Sequence, residues 1–192
     1  MYKLKPFVAL IALVSALLIL NGCAGAKGKT NADKISNIHK MRNTDLAELY
    51  QLAPSARAHV TGAYGYAVFD NMGINLLAVS TGQGYGVAHN NKTKKDTYMK
   101  MFSAGFGVGL GVKDFRGIFI FDNKAVFDHF VEHGWDVGGQ ADAAAQYKED
   151  GMSAALAIDV APGIHLYQIT KSGLAAQATI QGTKYWKDDE LN

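Results

Sequence analysis

A short histidine motif in the second half of the chain has the residue types and the spacing of a zinc site. It is His129-Phe130-Val131-Glu132-His133, which fits the H-x-x-E-H pattern of inverted zinc proteases. Residues four apart share a helix face, so both imidazoles would lie beside one metal ion. A catalytic zinc also needs a third protein ligand, and the acids downstream, Glu149 and Glu190, lie in no recognisable ligand motif. A zinc hydrolase is therefore the remote alternative among our functional hypotheses.

A second group of residues could bind anions. Lysines cluster after the run Gly86-Val87-Ala88-His89-Asn90-Asn91, at Lys92, Lys94, Lys95 and Lys100. The run predicts a strand that ends in a turn. Lysines at a hairpin tip keep it soluble, and near an anionic bilayer each contributes about 1 kcal/mol to binding. These four lysines are our candidate lipid-binding residues.

The first residues of the chain have the composition of an export signal. Lys3, Lys5 and Pro6 precede an unbroken run of apolar or small residues from Phe7 to Leu20, as in secretory signals. A helix of these fourteen residues spans about 21 Å, which is shorter than the roughly 30 Å hydrocarbon core of a bilayer. We therefore predict a signal peptide over residues 1–22 and not a transmembrane anchor.

The single cysteine of the chain follows this signal directly, in Leu20-Asn21-Gly22-Cys23. The stretch resembles the lipobox of bacterial lipoproteins, with an aliphatic residue three positions before the cysteine and glycine next to it. The resemblance implies cleavage before Cys23, a diacylglycerol group on its sulfur and an acylated amino terminus, with palmitate as a typical acyl chain. Ala24, where an aspartate would favour the inner membrane, implies an outer-membrane address facing the periplasm.

Composition excludes several classes of protein. The 192 residues are 48% hydrophobic and 19% charged, which excludes a disordered, strongly acidic or strongly basic chain. The formal charge of +2 comes from Lys3 and Lys5, so residues 23–192 are neutral overall and give no electrostatic case for nucleic acid. One cysteine excludes an internal disulfide and a cysteine-rich zinc module.

Helical patterns come first in the part of the chain that follows the signal. Residues 23–30 are small and polar and predict a lipid-anchored tether. Helical periodicity covers Asn31–Leu52, where Asp45 and Glu48 have the spacing of a capping pair, so we predict two short helices with a break near Asn43-Thr44. Pro54 predicts a further short helix that ends at Ala58.

Strand patterns dominate from residue 64 onwards. The predicted strands are Tyr64–Phe69, Leu76–Ser80, Tyr85–His89, Thr97–Phe102, Gly105–Val112, Gly117–Phe121, Trp135–Gly139, Ala154–Val160, Ile164–Thr170 and Ala175–Gln181. Asp122-Asn123 predicts the start of a helix over residues 124–133. We therefore predict an α+β fold in one domain over residues 31–192, with N-terminal helices packed on a glycine-rich, mostly antiparallel sheet system that is a sandwich or barrel-like.

A ladder of alternating glycines lies in one of these strands, at Gly105, Gly107, Gly109 and Gly111. On a strand the four glycines share one face, which leaves that face bare. A bare face allows close approach of another backbone, an aromatic ring or a lipid chain. Tight sheet packing and the wall of a groove for an apolar ligand are both consistent with this pattern.

An ordered series of motifs resembles the SYLF domain, also called the Ysc84-like family. The series comprises Ala63-Tyr64-Gly65-Tyr66-Ala67-Val68-Phe69, Gly82-Gln83-Gly84-Tyr85-Gly86-Val87, the glycine ladder, Phe127-x-x-Phe130 and Gly134-Trp135-Asp136-Val137-Gly138-Gly139-Gln140-Ala141-Asp142-Ala143. It extends from about Leu46 to Trp186. Asp70 departs from the pattern, because many relatives carry proline or serine there.

This resemblance implies a function in lipid binding. Eukaryotic members attach to phosphoinositide membranes and, in some cases, to actin, and the bacterial export signal excludes actin here. We therefore expect a cell-envelope lipoprotein whose domain binds anionic membrane lipid without catalysis, cofactor, metal or nucleic acid. The alternative is an envelope structural or assembly factor that binds a protein partner.

Overall fold

The computed structural model describes residues 26–76, 79–106, 115–136, 157–170, 173–174 and 182–192. Its helices are α1 (Asn31–Leu52), α2 (Ala56–Gly62) and α3 (Lys124–His133). Its strands are β1 (Gly65–Leu76), β2 (Val79–Asn90), β3 (Asp96–Phe106), β4 (Phe115–Phe121), β5 (Trp135–Asp136), β6 (Ile158–Ala161), β7 (Ile164–Thr170), β8 (Gly173–Leu174) and β9 (Thr183–Lys187).

The described strands form one sheet in the order β5-β9-β3-β2-β1-β4-β7-β6, with β8 beside β7. Every described pair is antiparallel. The predicted α+β class with a mostly antiparallel, barrel-like sheet is confirmed.

Helix α1 is continuous, so the predicted break near Asn43-Thr44 is wrong. Its N-terminus is a capping box, in which the Thr30 hydroxyl accepts from the Asp33 amide and the Asp33 carboxylate accepts from the Thr30 amide. Asp45 and Glu48 do not cap a helix, because they lie inside α1 and bind Arg116 of β4. Long-range contacts of this kind override a weak local helix propensity.

The bounds of α2 differ from the prediction, whereas those of α3 agree with it. Helix α2 begins at Ala56 and ends at Gly62, so the predicted segment from Pro54 to Ala58 begins too early and ends too early. Helix α3 has the predicted bounds, and the Asn123 side chain accepts a hydrogen bond of 3.2 Å from the Val126 amide. This cap confirms the sequence signal at Asp122-Asn123.

The first four strands, β1 to β4, are longer than predicted. The predicted strand Leu76–Ser80 is wrong, because Leu76 ends β1, Val79 begins β2 and the two residues pair with each other. Gly105 and Phe106 end β3, whereas the rest of the glycine ladder lies outside the described residues. The parts of the other predicted strands in residues 137–156 and 175–181 also lie outside them.

Helices cover both faces of the sheet. The side chains of β1 alternate between these two faces. Ala67 and Phe69 contribute to a cluster with Phe127 and Phe130 of α3. Tyr66 and Val68 contribute to another cluster, which contains residues of α1 and α2. Since successive side chains of a strand lie on opposite faces, α3 packs on one face and α1 with α2 on the other.

The start of the described chain also packs on this domain. Ala26 is buried with Ile38, Tyr85 and other residues of a third cluster, and the Lys27 carbonyl accepts a 2.7 Å hydrogen bond from the Asn37 side chain. The predicted signal peptide and Cys23 lie outside the described residues. None of the described helices has the length and apolar character that a membrane crossing requires.

Candidate functional site: the lysine turn

The turn between β2 and β3 has a defined conformation. The Asn90 side-chain oxygen accepts from the amides of Lys92 and Thr93 at 2.9 and 3.0 Å. The Lys94 amide donates to the Asn90 carbonyl at 2.8 Å, and Lys94 has a φ of 60°. Asparagine supports tight turns because its short side chain bonds to nearby backbone groups. The turn is therefore ordered by its own sequence.

Asn91 ties the same turn to the helical layer. Its side-chain nitrogen donates to the carbonyls of Val60 and Ala63 at 2.8 and 3.1 Å. Its backbone amide donates to the Tyr64 carbonyl at 3.0 Å. These bonds hold the turn against the C-terminal end of α2. The lysines of the turn are therefore attached to an ordered backbone.

Three of the four predicted lipid-binding residues are free at this turn. Lys92, Lys94 and Lys95 are exposed, and in the described part of the chain no carboxylate forms an ion pair with any of them. We call these three residues the lysine turn. Lys100 lies apart in β3, where its Nζ is 2.9 Å from the Asp188 carboxylate. The structure therefore groups three of the candidates and assigns the fourth to an ion pair.

An ion-pair cluster that the sequence did not indicate lies next to the lysine turn. The Asp96 carboxylate is 3.0 Å from Arg42, 3.1 Å from His39 Nε2 and 2.6 Å from His89 Nδ1. Asp96 begins β3, whereas Arg42 and His39 belong to α1. The cluster therefore joins α1 to the base of the hairpin, and its members come from three elements with no shared local motif.

A second charged group joins α1 to β4. The Arg116 guanidinium is 3.4 Å from Asp45 Oδ1, and it binds both carboxylate oxygens of Glu48, one of them at 2.8 Å. Burial raises the pKa of the Asp45 carboxyl to about 7, against the opposing charge of Arg116. The hydrogen bonds from Arg116 lower the pKa of the Glu48 carboxyl. The two carboxylates on one helix thus titrate in different pH ranges.

Replacing Asp45 with asparagine should change how stability depends on pH. In the folded protein Asp45 still holds a proton at pH values where the unfolded chain has released it, so the free energy of unfolding falls as pH rises from about 4 to about 7. The asparagine variant lacks this loss. Urea unfolding measures the free energy of unfolding of both proteins. The value for Asp45→Asn should rise relative to that of the unchanged protein by about 2 kcal/mol between about pH 5 and about pH 8.

The matched control for this experiment is Glu48→Gln. Because the pKa of Glu48 is lowered, its contribution to stability is present above its unfolded pKa and is lost only at more acidic pH. Its stability difference from the unchanged protein should therefore stay constant between about pH 5 and about pH 8. The same slope for Asp45→Asn and Glu48→Gln would contradict the assignment.

The histidine motif lies in the predicted helix, and the described residues form no zinc site around it. His129, Glu132 and His133 are exposed on α3, and the two imidazole rings stack with centroids 4.8 Å apart. Within the described ranges, no third histidine or carboxylate joins this pair to form a metal-ligand group. Of the acids considered, Glu190 lies beside Lys34 and Lys100, and Glu149 is outside those ranges.

The chain is similar in sequence to a known protein. No protein-family model matches the chain. Over 163 residues the chain is 42% identical to a protein named beta cell expansion factor A from Aeromonas veronii. The aligned region covers 85% of this chain and 60% of that protein. The chain thus spans less than two thirds of the length of the relative that it resembles.

Proposed function

We propose that this protein is a non-catalytic, lipid-anchored protein of the bacterial cell envelope whose domain binds anionic membrane lipid. Cys23 would carry the acyl anchor, and the lysine turn would contact headgroups. The observation that supports the lipid contact most directly is the exposure of Lys92, Lys94 and Lys95 without an acidic partner among the described residues. Lys100 is left out of this contact because it pairs with Asp188.

The geometry suits a contact with a charged surface. A lysine near an anionic bilayer contributes about 1 kcal/mol, so the three residues of the lysine turn together contribute about 3 kcal/mol. This contribution is screened beyond roughly 10 Å at 0.1 M salt. Neutrality of the whole chain after the signal does not oppose the contact, since only charges near the bilayer act on it.

Co-sedimentation with liposomes tests this proposal. A chain that begins at Ala24, and therefore has no acyl anchor, should bind vesicles with anionic phospholipid and not neutral phosphatidylcholine vesicles. Changing Lys92, Lys94 and Lys95 to alanine together should weaken binding to anionic vesicles about 100-fold, which corresponds to about 3 kcal/mol.

The control for this variant removes the same charge elsewhere. Lys40, Lys184 and Lys187 are also exposed, and changing these three to alanine should leave binding within about threefold of the unchanged chain, because they lie outside the turn. Equal losses in the two triple variants would show that only net charge matters. Equal binding to anionic and neutral vesicles would remove the headgroup contact altogether.

Similarity to the Aeromonas protein supports a second candidate function. The name of that protein describes an effect on the expansion of beta cells, and 42% identity over most of this chain makes a related effect a specific hypothesis. Purified protein added to cultured beta cells should then increase cell number. No increase, at concentrations where the Aeromonas protein acts, would contradict this candidate and leave the lipid-binding proposal unchanged.

A further inference from the structure

Three metal-ligating residues from separate elements meet at one end of the sheet. His59 belongs to α2, Asp122 follows β4 and His165 belongs to β7. One ligand atom of each residue lies within 4.8 Å of those of the other two. His165 Nε2 is 3.1 Å from both oxygens of Asp122, and the two imidazole centroids are 5.1 Å apart. A single ion could therefore contact all three side chains after small rotations.

Each imidazole of this group is held by an outer partner. The Tyr167 hydroxyl is 3.0 Å from His59 Nδ1, and the Asp159 carboxylate is 2.5 Å from His165 Nδ1. Histidines that bind metals use their second nitrogen in this way, because a hydrogen bond from Nδ1–H fixes the ring and its tautomer and leaves Nε2 for the metal. A chance contact of surface side chains does not require a hydrogen-bond partner at Nδ1 of each histidine, and this group has one at both.

The electrostatics also favour a cation. Asp122 and Asp159 place two carboxylates around the imidazoles. Both histidines are half-buried and Asp122 is exposed, so an ion can reach the site from solvent.

We propose that His59, Asp122 and His165 bind a divalent transition-metal ion of the zinc type. Two imidazoles and one carboxylate are ligands that suit zinc and its neighbours better than magnesium or calcium, which prefer oxygen ligands. Three protein ligands leave a fourth position for water or for a group from another molecule. The ion would join α2 to β7 and to the segment after β4.

Metal titration of the full-length chain, purified in detergent and stripped with a chelator, tests this proposal. Zinc should bind with a stoichiometry of about one, and His59→Ala or His165→Ala should weaken binding at least about 100-fold, since each removes a ligand. Asp159→Asn and Tyr167→Phe should weaken binding roughly 10-fold, as expected when an outer partner of a metal-binding histidine is lost.

The exposed pair on α3 provides the matched control. Changing His129 and His133 to alanine together removes two imidazoles outside the proposed site and should leave zinc affinity within about twofold. Unchanged affinity in both His59→Ala and His165→Ala, or loss of binding in the α3 variant alone, would overturn the proposal. In that case the contacts of His165 with Asp122 and Asp159 are ion pairs that hold no metal.

A second measurement needs no variant and remains decisive if a substitution prevents folding. Cobalt(II) added to the isotopically labelled, unchanged protein should broaden NMR signals of residues near Asp122, α2 and β7, because a paramagnetic ion acts over a short distance. Broadening centred on α3, or broadening spread evenly over the surface, would overturn the proposal.

Discussion

Replacing Gly86 with alanine should lower the free energy of unfolding by about 3 kcal/mol. A Cβ at this position would lie 2.3 Å from the Val68 carbonyl oxygen and 2.4 Å from Cδ1 of Phe69. The carbonyl belongs to the backbone of β1, which pairs with β2 at this point. Phe69 is fully buried and contacts Phe119 and Tyr185 edge to face. Neither atom can move without disturbing the sheet or the core.

Urea unfolding of Gly86→Ala and of a control, Gly62→Ala, measures this effect. Gly62 ends α2, and a Cβ there would have no atom within 4 Å. Because alanine is also the better helix former, Gly62→Ala should stay within about 0.5 kcal/mol of the unchanged protein. A loss for Gly86→Ala no larger than that for Gly62→Ala would contradict the packing argument.

Close contacts of the same kind explain a second glycine of β2. In the run Gly82–Gly86, a Cβ on Gly84 would likewise lie 2.3 Å from the Asp70 carbonyl and 2.8 Å from Cγ of Met101. Both glycines therefore leave room for neighbouring atoms that the sheet brings close to them. Tight packing therefore accounts for Gly84 and Gly86 in β2. For most of the Gly105–Gly111 ladder, which lies outside the described residues, tight packing and an apolar groove both stay predictions.

Replacing Cys23 with serine should abolish lipidation of the protein. A serine hydroxyl does not accept the diacylglycerol group that the lipobox resemblance implies, so the chain should accumulate as an uncleaved or unlipidated form. Metabolic labelling with a radioactive fatty acid, followed by fractionation, measures the change. Ala24→Ser is the adjacent control and should label normally. Normal labelling of Cys23→Ser would contradict the anchor.

The two proposed membrane contacts differ in expected strength, and the stronger one should determine whether the protein stays on the bilayer. Each buried CH₂ group of an acyl chain contributes about 0.8 kcal/mol, so two or three chains far exceed the roughly 3 kcal/mol expected from the lysine turn. Loss of the lysines should therefore leave the anchored protein on the membrane. The lysine contact is measurable only in a chain without the anchor, as in the liposome experiment.

Much of the fold was predictable because its signals are local. The cap at Asn123, the helix that follows it and the strand β7 depend on residues within a few positions of one another. The continuity of α1 was not predictable in this way. Asn43 and Thr44 are weak helix formers, but the helix continues through them because Ile38 and Leu49 are buried on either side and Asp45 reaches Arg116.

The candidate sites also differ in whether they depend on local signals or on long-range contacts. The sequence alone predicted the export signal, Cys23 as the candidate anchor, the lysine-rich turn and the α+β class, because each prediction depends on composition or on neighbouring residues. Only the tertiary structure separated Lys100 from the lysine turn and brought His59, Asp122 and His165 together. The antiparallel register pairs Ile120 with His165, which places Asp122 two residues along the same face. Register and helix packing are long-range properties, so no motif in the sequence could indicate that group.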